Sequence, residues 1–329
     1  MDTLALLNRW QHDFPLVPAP FAAIAAVLGN TESEVIAACR NAQDGGVISR
    51  IGGVWAAGAG GAAMLCALAV PASRLEAVAA QVDAVPGVNH NYEREHRYNL
   101  WFVITGGDAA TLHARLDALE RDTALHALRL PMQRVYRIDL GFDLERGQAA
   151  RRAAACGTGV QRVAPLDAPL AALVEGGLPL IERPYAAWAE RLGLAEAAVL
   201  QTLRRWLAQC TLRRFGVVVR HHELGFDQNA MTVFDVPDAQ VDACGAALAR
   251  QPGVTLCYRR TRAEGWPFNL YCMVHGRERA AVRQLIDAAT HAAGLQHRPH
   301  EVLFRLRRFK QQGASYFRAS TKEAEHAGA

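Results

Sequence analysis

The chain has 329 residues, of which 51% are hydrophobic and 21% are charged, a composition typical of globular proteins with room for two or more domains. No run of 18 apolar residues and no basic-then-apolar leader occurs, so we expect neither a membrane span nor a signal peptide. The net charge is +4, and Lys310 and Lys322 are the two lysines among 36 basic residues. Because arginine binds carboxylates bidentately, this composition is compatible with a small polyanionic ligand.

The seven cysteines are scattered along the chain and form no CxxC pair. Most of them stand in apolar runs, which is typical of buried thiols in a reducing compartment. We therefore expect reduced cysteines and a cytoplasmic protein.

The sequence repeats itself in order. FPLVPAPFAAIAAVLG (14–29) matches LPLIERPYAAWAERLG (178–193), LAVPASRLEAV (68–78) matches FDVPDAQVDAC (234–244), and YNLWFVITG (98–106) matches FNLYCMVHG (268–276). The offsets are 164, 166 and 170, so the insertions between the copies are small. Conserved order with small insertions indicates a tandem duplication of one unit.

Each unit begins with a helical part. Pro20 and Pro184 stand where a helix can start without losing a hydrogen bond, and Gly29 and Gly193 stand where that helix can end. A second helix and a short strand follow. This order predicts winged helix-turn-helix domains over residues 1–55 and 170–219.

The second part of each unit alternates strands and helices in a βαββαβ order, which predicts a ferredoxin-like domain with an antiparallel sheet. The predicted strands are 64–70, 88–94, 99–105 and 133–139 in the first unit, and 230–236, 254–260, 269–275 and 301–308 in the second. The fold class is therefore α+β, with ferredoxin-like domains at 56–144 and 220–318, a linker at 145–169 and a tail at 319–329.

Several motifs carry a family resemblance. They are RIGGV (50–54), RRFGVVVRHHELGF (213–226), PGVNHNYEREHRYNLWF (86–102), GWPFNLYCMVHG (265–276) and FKQQGASYF (309–317). The architecture resembles the Lrp/AsnC transcription regulators, and the motifs more closely resemble the siroheme decarboxylases, in the fused two-unit form associated with heme d1 biosynthesis. The resemblance covers nearly the whole chain.

That resemblance implies a carboxy-lyase that removes two acetate carboxyl groups from siroheme to give didecarboxysiroheme. It implies no separate cofactor, because the iron belongs to the siroheme substrate. Siroheme is then the small-molecule partner, and related decarboxylase subunits are further candidate partners. Two alternatives stay open: a ligand-responsive regulator of the Lrp/AsnC type, and a non-catalytic tetrapyrrole-binding subunit.

Specific DNA binding is disfavoured by the second helix of each helix-turn-helix. In the first unit that helix opens with Glu32 and Glu34 and has no basic residue before Arg40. In the second unit Arg204 and Arg205 come late in the helix. A helix that reads DNA places cationic and polar side chains at its start, so these helices are expected to be structural.

The hairpins of the ferredoxin-like domains combine arginine with aromatic residues, as binding of a flat, carboxylate-rimmed macrocycle would require. We predict Arg259 and Arg260 as carboxylate clamps, with Tyr258 and Trp266 as walls of the pocket. Arg94 and His96 of the first hairpin are expected to contribute to its rim.

The loop after the second wing adds histidines among arginines. Arg214 and Arg220 are predicted as further carboxylate clamps, and neighbouring cations push His221 and His222 toward the neutral form. A neutral imidazole can ligate iron or relay a proton. With the family resemblance, His221 or His222 is predicted to donate a proton or ligate the substrate iron; no other metal site is predicted. The corresponding first loop, GVWAAGAGGAA (53–63), has no charged residue, so one pocket per chain is expected, with its chemistry in the second unit.

Overall fold

The computed structural model describes residues 3–138, 142–143, 148–149, 160–219 and 228–317. The first unit consists of α1 (Thr3–Arg9), α2 (Pro20–Leu28), α3 (Glu32–Asp44), β1 (Ile48–Trp55), β2 (Ala62–Leu68), α4 (Leu75–Ala84), β3 (Val88–Arg94), β4 (Leu100–Gly106), α5 (Ala109–Thr123) and β5 (Ala127–Ile138). A short ladder follows, formed by β6 (Phe142–Asp143) and β7 (Gln148–Ala149). The second unit consists of α6 (Ala168–Gly176), α7 (Pro184–Leu192), α8 (Glu196–Ala208), β8 (Leu212–Val219), β9 (Gln228–Phe234), α9 (Val241–Ala249), β10 (Val254–Arg260), β11 (Leu270–Gly276), α10 (Arg279–Ala292) and β12 (His300–Gln311).

The helix-turn-helix boundaries follow from local chemistry. Proline opens both α2 and α7, and Gly29 and Gly193 end them in the left-handed conformation, with φ of 67° and 65°. Thr31 then caps α3 by accepting a hydrogen bond from the backbone N–H of Glu34, whose carboxylate bonds back to the Thr31 N–H. The predicted helix-turn-helix arrangement is confirmed in both units.

The two wings pair with each other. β1 runs antiparallel to β8, with Gly52 opposite Gly216. Both glycines allow a close approach of other backbone: a Cβ on Gly52 would lie 2.7 Å from the Val174 carbonyl oxygen, and one on Gly216 would collide with that of Gln11. One continuous hydrophobic core therefore joins both helix-turn-helix domains.

The two ferredoxin-like sheets close into one eight-stranded barrel, in the order β10-β11-β9-β12-β3-β4-β2-β5. The closure depends on two long arms. The first half of β5 pairs with β2 and its second half with β10, while the first half of β12 pairs with β9 and its second half with β3. Each unit thus lends a strand to the other, and the sheets pair within the chain as predicted.

The barrel has an outer and an inner hydrophobic core. Helices α4 and α5 cover the first sheet, and α9 and α10 cover the second. A separate cluster fills the interior with side chains from both sheets, among them Trp101, Leu130, Met231, Tyr271 and Leu303. Because successive strand residues point to opposite faces, each strand has one helix-covered face and one interior face.

The largest difference from the predicted elements is the length of the arms. β5 begins at Ala127 rather than at 133, and Pro131 lies within it, at the point where the arm changes partners from β2 to β10. A proline is tolerated where the ladder changes, since its missing N–H then removes no regular sheet hydrogen bond. Helices α1 and α6 were not predicted, and α6 begins at Ala168, inside the segment predicted to be a linker.

The expectation of reduced cysteines is wrong at one position. Among the described residues Cys39, Cys66, Cys244, Cys257 and Cys272 are free thiols. Cys210 is disulfide-bonded. Unlike the four buried thiols, it lies half-buried in the turn between α8 and β8, outside the apolar core.

Within the described ranges, no single helix has the length and hydropathy needed to cross a membrane, although α2 and α3, which are bent by 102°, pass the criterion as a pair.

Candidate functional site

The turns of the two hairpins meet at one end of the barrel. The Arg97 guanidinium donates to the Gly265 carbonyl (2.6 Å), and the ring centroids of Tyr98 and Trp266 are 5.7 Å apart. Trp266 is only 1% exposed, and its Nε1 donates to the Tyr271 hydroxyl (2.6 Å). The predicted wall residue Trp266 therefore belongs to the packed interior that closes this end.

The neighbouring arginines of β10 point in opposite directions. Tyr258 and Arg260 face the barrel interior, where the Arg260 guanidinium lies over the Tyr258 ring (4.9 Å). Arg259 faces the helix-covered side and forms an ion pair with Asp238 (2.9 Å). The structure therefore does not bring Arg259 and Arg260 together as clamps on one ligand.

β3 repeats this alternation in the first unit. Arg94 reaches across the interior to Leu303 and Asn229 of the second unit, and the His90 and Tyr92 rings lie 5.9 Å apart two residues earlier on the same strand. Glu93 faces the outer side, where it accepts a hydrogen bond from Arg307 (2.6 Å). The interior face of β3 thus presents histidine, tyrosine and arginine in succession.

Two arginines are buried in the barrel without a countercharge. Arg94 is 5% exposed and donates to the Leu303 carbonyl (3.0 Å) and Asn229 Oδ1 (3.3 Å). Arg260 is 6% exposed and donates to the Leu130 carbonyl (2.7 Å). Among the described residues neither guanidinium contacts a carboxylate, and Nε of Arg260 has no hydrogen-bond partner. Burial lowers the pKa of Arg94 to about 10 and also lowers the pKa of Arg260.

These two cations belong to one cluster. Burial raises the pKa of Tyr258, while Arg260 and Arg94 together oppose that shift. An effect of Arg94 on Tyr258 requires that the first unit's arginine lie close to the second unit's tyrosine. The cationic patch is therefore formed jointly by both copies of the duplicated unit.

His90 has a defined tautomer. The Asn89 amide donates from Nδ2 to Thr105 Oγ1 (3.2 Å), which leaves Asn89 Oδ1 to accept from Nδ1 of His90 (2.6 Å). Nε2 of His90 then carries the lone pair. Burial lowers the pKa of His90 to about 4, so the imidazole is neutral at physiological pH. A half-buried neutral imidazole with an available Nε2 can ligate iron.

His96 is engaged at both nitrogens. Its Nδ1 accepts from the Tyr98 backbone N–H (2.9 Å), and its Nε2 donates to Glu301 on β12 (3.0 Å). Burial lowers the pKa of His96, and Glu301 opposes that shift. In this arrangement His96 fixes the hairpin turn to the arm of the other unit.

Family models match most of the chain. The siroheme decarboxylase NirDL-like HTH domain matches residues 4–48 and 167–213, and the AsnC-like ligand binding domain matches residues 58–137 and 223–310. The siroheme decarboxylase NirDL subunit of Paracoccus denitrificans is 43% identical over 316 residues, which are 95% of this chain and 96% of that protein. The chain belongs to the siroheme decarboxylase family.

Two further comparisons agree with the duplicated architecture of this chain. The NirL subunit of Stutzerimonas stutzeri is 50% identical over 145 residues, which are 44% of this chain but 85% of that protein. The crystal structure of a siroheme decarboxylase NirDL in complex with an iron-uroporphyrin III analogue superposes with a TM-score of 0.67 at 26% identity, covering 99% of this chain and 98% of that one.

The remaining predicted site residues lie elsewhere or outside the described residues. Arg214 lies in the wing β8, 5% exposed, and donates to the backbone carbonyls of Gln11 and Val217. The structure thus places it in the helix-turn-helix layer rather than in the barrel. Arg220, His221 and His222 fall in 220–227, outside the described residues, and their roles stay predictions.

Sequence reasoning placed Tyr92 in the aromatic cluster of the first hairpin but missed three residues near it: His90, Arg305 and the exposed Arg308. Arg305 is opposite Arg94 and Arg308 is opposite Tyr92 across the β3–β12 ladder. Both arginines oppose the rise that burial causes in the pKa of Tyr92. The two-residue period of NHNYER could have indicated that His90 shares a face with Tyr92 and Arg94. The two β12 arginines could not be placed beside them without the pairing of β12 with β3 of the other unit.

In both helix-turn-helix domains, the acidic side chains at the start of the second helix are bonded to other groups of the protein. Glu32 accepts a hydrogen bond from the Ala22 backbone (3.1 Å), and Glu34 forms the capping box with Thr31. In the second unit Glu196 is paired with Arg183 (2.6 Å). Carboxylates therefore occupy the helix starts that a DNA-reading domain would turn toward phosphates.

Proposed function

We propose that the protein decarboxylates siroheme, removing two acetate carboxyl groups to give didecarboxysiroheme, a precursor of heme d1. The observation that supports this most directly is the pair of buried guanidinium groups, Arg94 and Arg260, without a carboxylate partner among the described residues. The family membership of the chain supports the same reaction.

The electrostatic argument concerns the free energy of these buried charges. Removing a single ion from water costs several kcal/mol in a protein interior, unless an opposite charge is nearby. Hydrogen bonds to neutral carbonyls recover only part of that cost. A ligand that carries several carboxylates would supply the missing charge through short, charge-assisted hydrogen bonds.

His90 suits the metal of such a ligand. The iron is part of the substrate, so the protein needs only to offer an axial donor, and Nε2 of the neutral imidazole is suitable. Asn89 would fix the ring orientation through Nδ1, as partners of metal-bound histidines commonly do.

The chemistry requires three contributions from the chain. Arginines hold the retained carboxylates, the closed hairpin end keeps water from the interior, and one group supplies a proton after CO2 departs. The conjugated macrocycle itself can delocalise the electron pair left on the methylene, so the proposal requires no additional organic cofactor. His221 or His222 is proposed to contact the substrate from the second unit.

One site per chain is proposed, because Arg94 and Arg260 come from different copies yet act on the same Tyr258. Half-length relatives indicate that the two copies can exist as separate subunits in other members of the family. We propose that the fused chain supplies both halves and functions in the cytoplasm.

The test is anaerobic incubation of the purified protein with siroheme, followed by mass spectrometry of the tetrapyrrole. Two successive losses of CO2 are expected, together with saturation near one tetrapyrrole per chain. Spectral binding with unchanged substrate mass would contradict the catalytic proposal and favour a carrier. A specific shift of the protein's own promoter DNA, without turnover, would favour a regulator.

A further inference from the structure

The segment after β12 connects the barrel with the helix-turn-helix layer. It consists of residues 312–317, which we call the strap, and it ends the motif FKQQGASYF (309–317). The strap leaves β12 where Gln311 is paired with His90 of β3. At its other end Tyr316 and Phe317 pack against the core of the helix-turn-helix domains. It therefore spans the distance between the strand that carries His90 and the other layer of the molecule.

Glu175 of α6 anchors the far end of the strap. Its carboxylate is 6% exposed and accepts hydrogen bonds from the backbone N–H groups of Tyr316 (2.8 Å) and Phe317 (3.2 Å), which belong to no helix or strand. The Phe317 ring also packs edge-on against Trp55 of the first wing, with ring centroids 5.2 Å apart. Bonds from N–H groups to a carboxylate are charge-assisted, so this anchor is stronger than a neutral hydrogen bond.

The near end of the strap is bonded to Asn89. The Gln312 N–H donates to the Asn89 backbone carbonyl (2.7 Å). The Asn89 side chain donates from Nδ2 to Thr105 Oγ1 (3.2 Å), and that hydroxyl lies between two acceptors, the carbonyls of Ser315 (3.3 Å) and Gly87 (3.2 Å). The strap thus contacts Asn89 directly at the main chain and, through Thr105, at the side chain.

We propose that the strap is a positioning element that orients His90 for the substrate iron, with Glu175 as its anchor. The connection ends at Asn89, whose Oδ1 accepts from Nδ1 of His90 (2.6 Å). Partners of this kind fix the ring of a metal-binding histidine, and their own supports keep them in place. The inference rests on the proposed siroheme decarboxylation, in which His90 is the iron donor, and it gives the helix-turn-helix layer a task in that reaction.

The other copy of the unit carries no equivalent anchor. The match of PMQRVYRI (131–138) with PHEVLFRL (299–306) places glutamine and alanine of β7 where the strap has its aromatic pair, and β7 pairs with β6 instead. The position equivalent to Glu175 is Gln11. The arm of that copy adjoins β10, which has leucine in place of His90. The anchored strap and the proposed iron donor therefore occur together, at one place in the chain.

Gly60, between β1 and β2, allows the strap to be displaced without a change in the barrel. A Cβ at this position would lie 2.7 Å from Tyr316 Cβ and 2.9 Å from Phe317 Cε2, so Gly60→Ala forces the strap to move. Glu175→Ala removes the anchor itself. Gly176→Ala is the matched control, because the same methyl group next to Glu175 meets no atom within 4 Å.

The main measurement is anaerobic titration with iron-uroporphyrin III, followed by absorption spectroscopy at saturation. Gly60→Ala and Glu175→Ala should each weaken binding roughly 10-fold, the lower end of the range for groups that support metal-binding histidines. The absorption that reports imidazole on the iron should decrease in both variants even at saturation. Gly176→Ala should match the wild-type protein.

A double-variant comparison separates positioning from a purely structural role. In a His90→Leu background, Gly60→Ala and Glu175→Ala should change affinity by less than about twofold, because the strap acts through His90. Equal losses in both backgrounds would overturn the proposal.

Amide hydrogen exchange shows whether the strap has been loosened, since the N–H groups of Tyr316 and Phe317 should exchange faster in both variants. Faster exchange with wild-type affinity and spectrum would also overturn the positioning role. A wild-type protein that shows the expected coupling to His90 but releases no CO2 from siroheme would support the strap and contradict the proposed decarboxylation.

Discussion

Strands β3 and β10 occupy equivalent places in the two copies of the duplicated unit, but their interior faces differ. β3 presents His90, Tyr92 and Arg94, whereas β10 presents leucine at 256 and then Tyr258 and Arg260. Arg94 crosses to the other unit's β9 and β12 strands, while Arg260 donates to the Leu130 carbonyl on β5.

This difference between the strands is the basis of the proposed single site per chain. Both strands keep the tyrosine and the arginine that we propose for recognition of a carboxylate-rich ring. Of these two strands only β3 carries an imidazole, His90, where β10 has leucine at 256, and the β10 tyrosine is hydrogen-bonded to Arg260. We therefore propose that β3 contributes the iron donor and that both strands contribute to recognition of the ligand.

The largest expected effect comes from making β3 resemble its twin. His90→Leu copies the residue of β10 and removes the proposed iron donor. Loss of a metal-binding group should cost at least the roughly 10- to 100-fold in turnover that is typical of groups that merely support such ligands. The visible spectrum of the bound tetrapyrrole should change at the same time, because its axial ligand is lost.

The reverse exchange, Leu256→His, is the control for this comparison. It adds an imidazole to β10 and should create no second binding equivalent in an anaerobic titration. Wild-type turnover in His90→Leu, or two sites per chain in either protein, would contradict the assignment of the iron donor to β3.

The next largest effect is expected from the arginine that both strands carry. Arg94→Met and Arg260→Met should each weaken tetrapyrrole binding by about 1.5–3 kcal/mol, because a charge-assisted hydrogen bond to a carboxylate is lost. The free energy of unfolding of the ligand-free protein should stay equal or rise, since an uncompensated buried charge disappears. Calorimetric titration and chemical denaturation measure the two quantities separately. A parallel loss of affinity and stability would show that these arginines serve the fold alone.

The sequence predicted the fold more completely than the site. Internal repetition and proline and glycine punctuation were sufficient for the tandem helix-turn-helix and ferredoxin-like arrangement. The site required knowledge of which face of each strand turns inward and of the exchange of β5 and β12 between the units. Arg259 and Arg260 are adjacent in sequence and were assigned one role, yet the alternation of strand residues separates them. Arg305 lies 211 positions from Arg94, so only the arm exchange reveals their proximity.

In the absence of ligand, the free energy of unfolding should depend on pH through His90 of β3, which has no counterpart on β10. The pKa of His90 is about 4 in the folded protein, below the ~6.5 of an unfolded chain, so only the unfolded state binds this proton between those values. The free energy of unfolding should therefore fall by roughly 1.6 kcal/mol from this group as the pH drops from about 6.5 to 5. Denaturation of wild type and His90→Leu at both pH values measures it. An identical pH dependence of the two proteins would contradict the buried neutral imidazole.

The smallest effect is expected at Arg259, and it tests the assignment of strand faces most directly. Arg259 and Arg260 are neighbours in sequence, but the Arg259 guanidinium is bound to Asp238 on the outer side, where the pairing carboxylate is largely exposed. Exposed ion pairs contribute little and are weakened by salt. Arg259→Ala should therefore change tetrapyrrole affinity by less than about threefold, and the difference should shrink at high ionic strength. Arg260→Ala should lose affinity at both ionic strengths, because its cation is buried in the barrel. Equal and salt-resistant losses in the two variants would mean that both arginines contact the ligand, and that β10 turns differently in the bound protein.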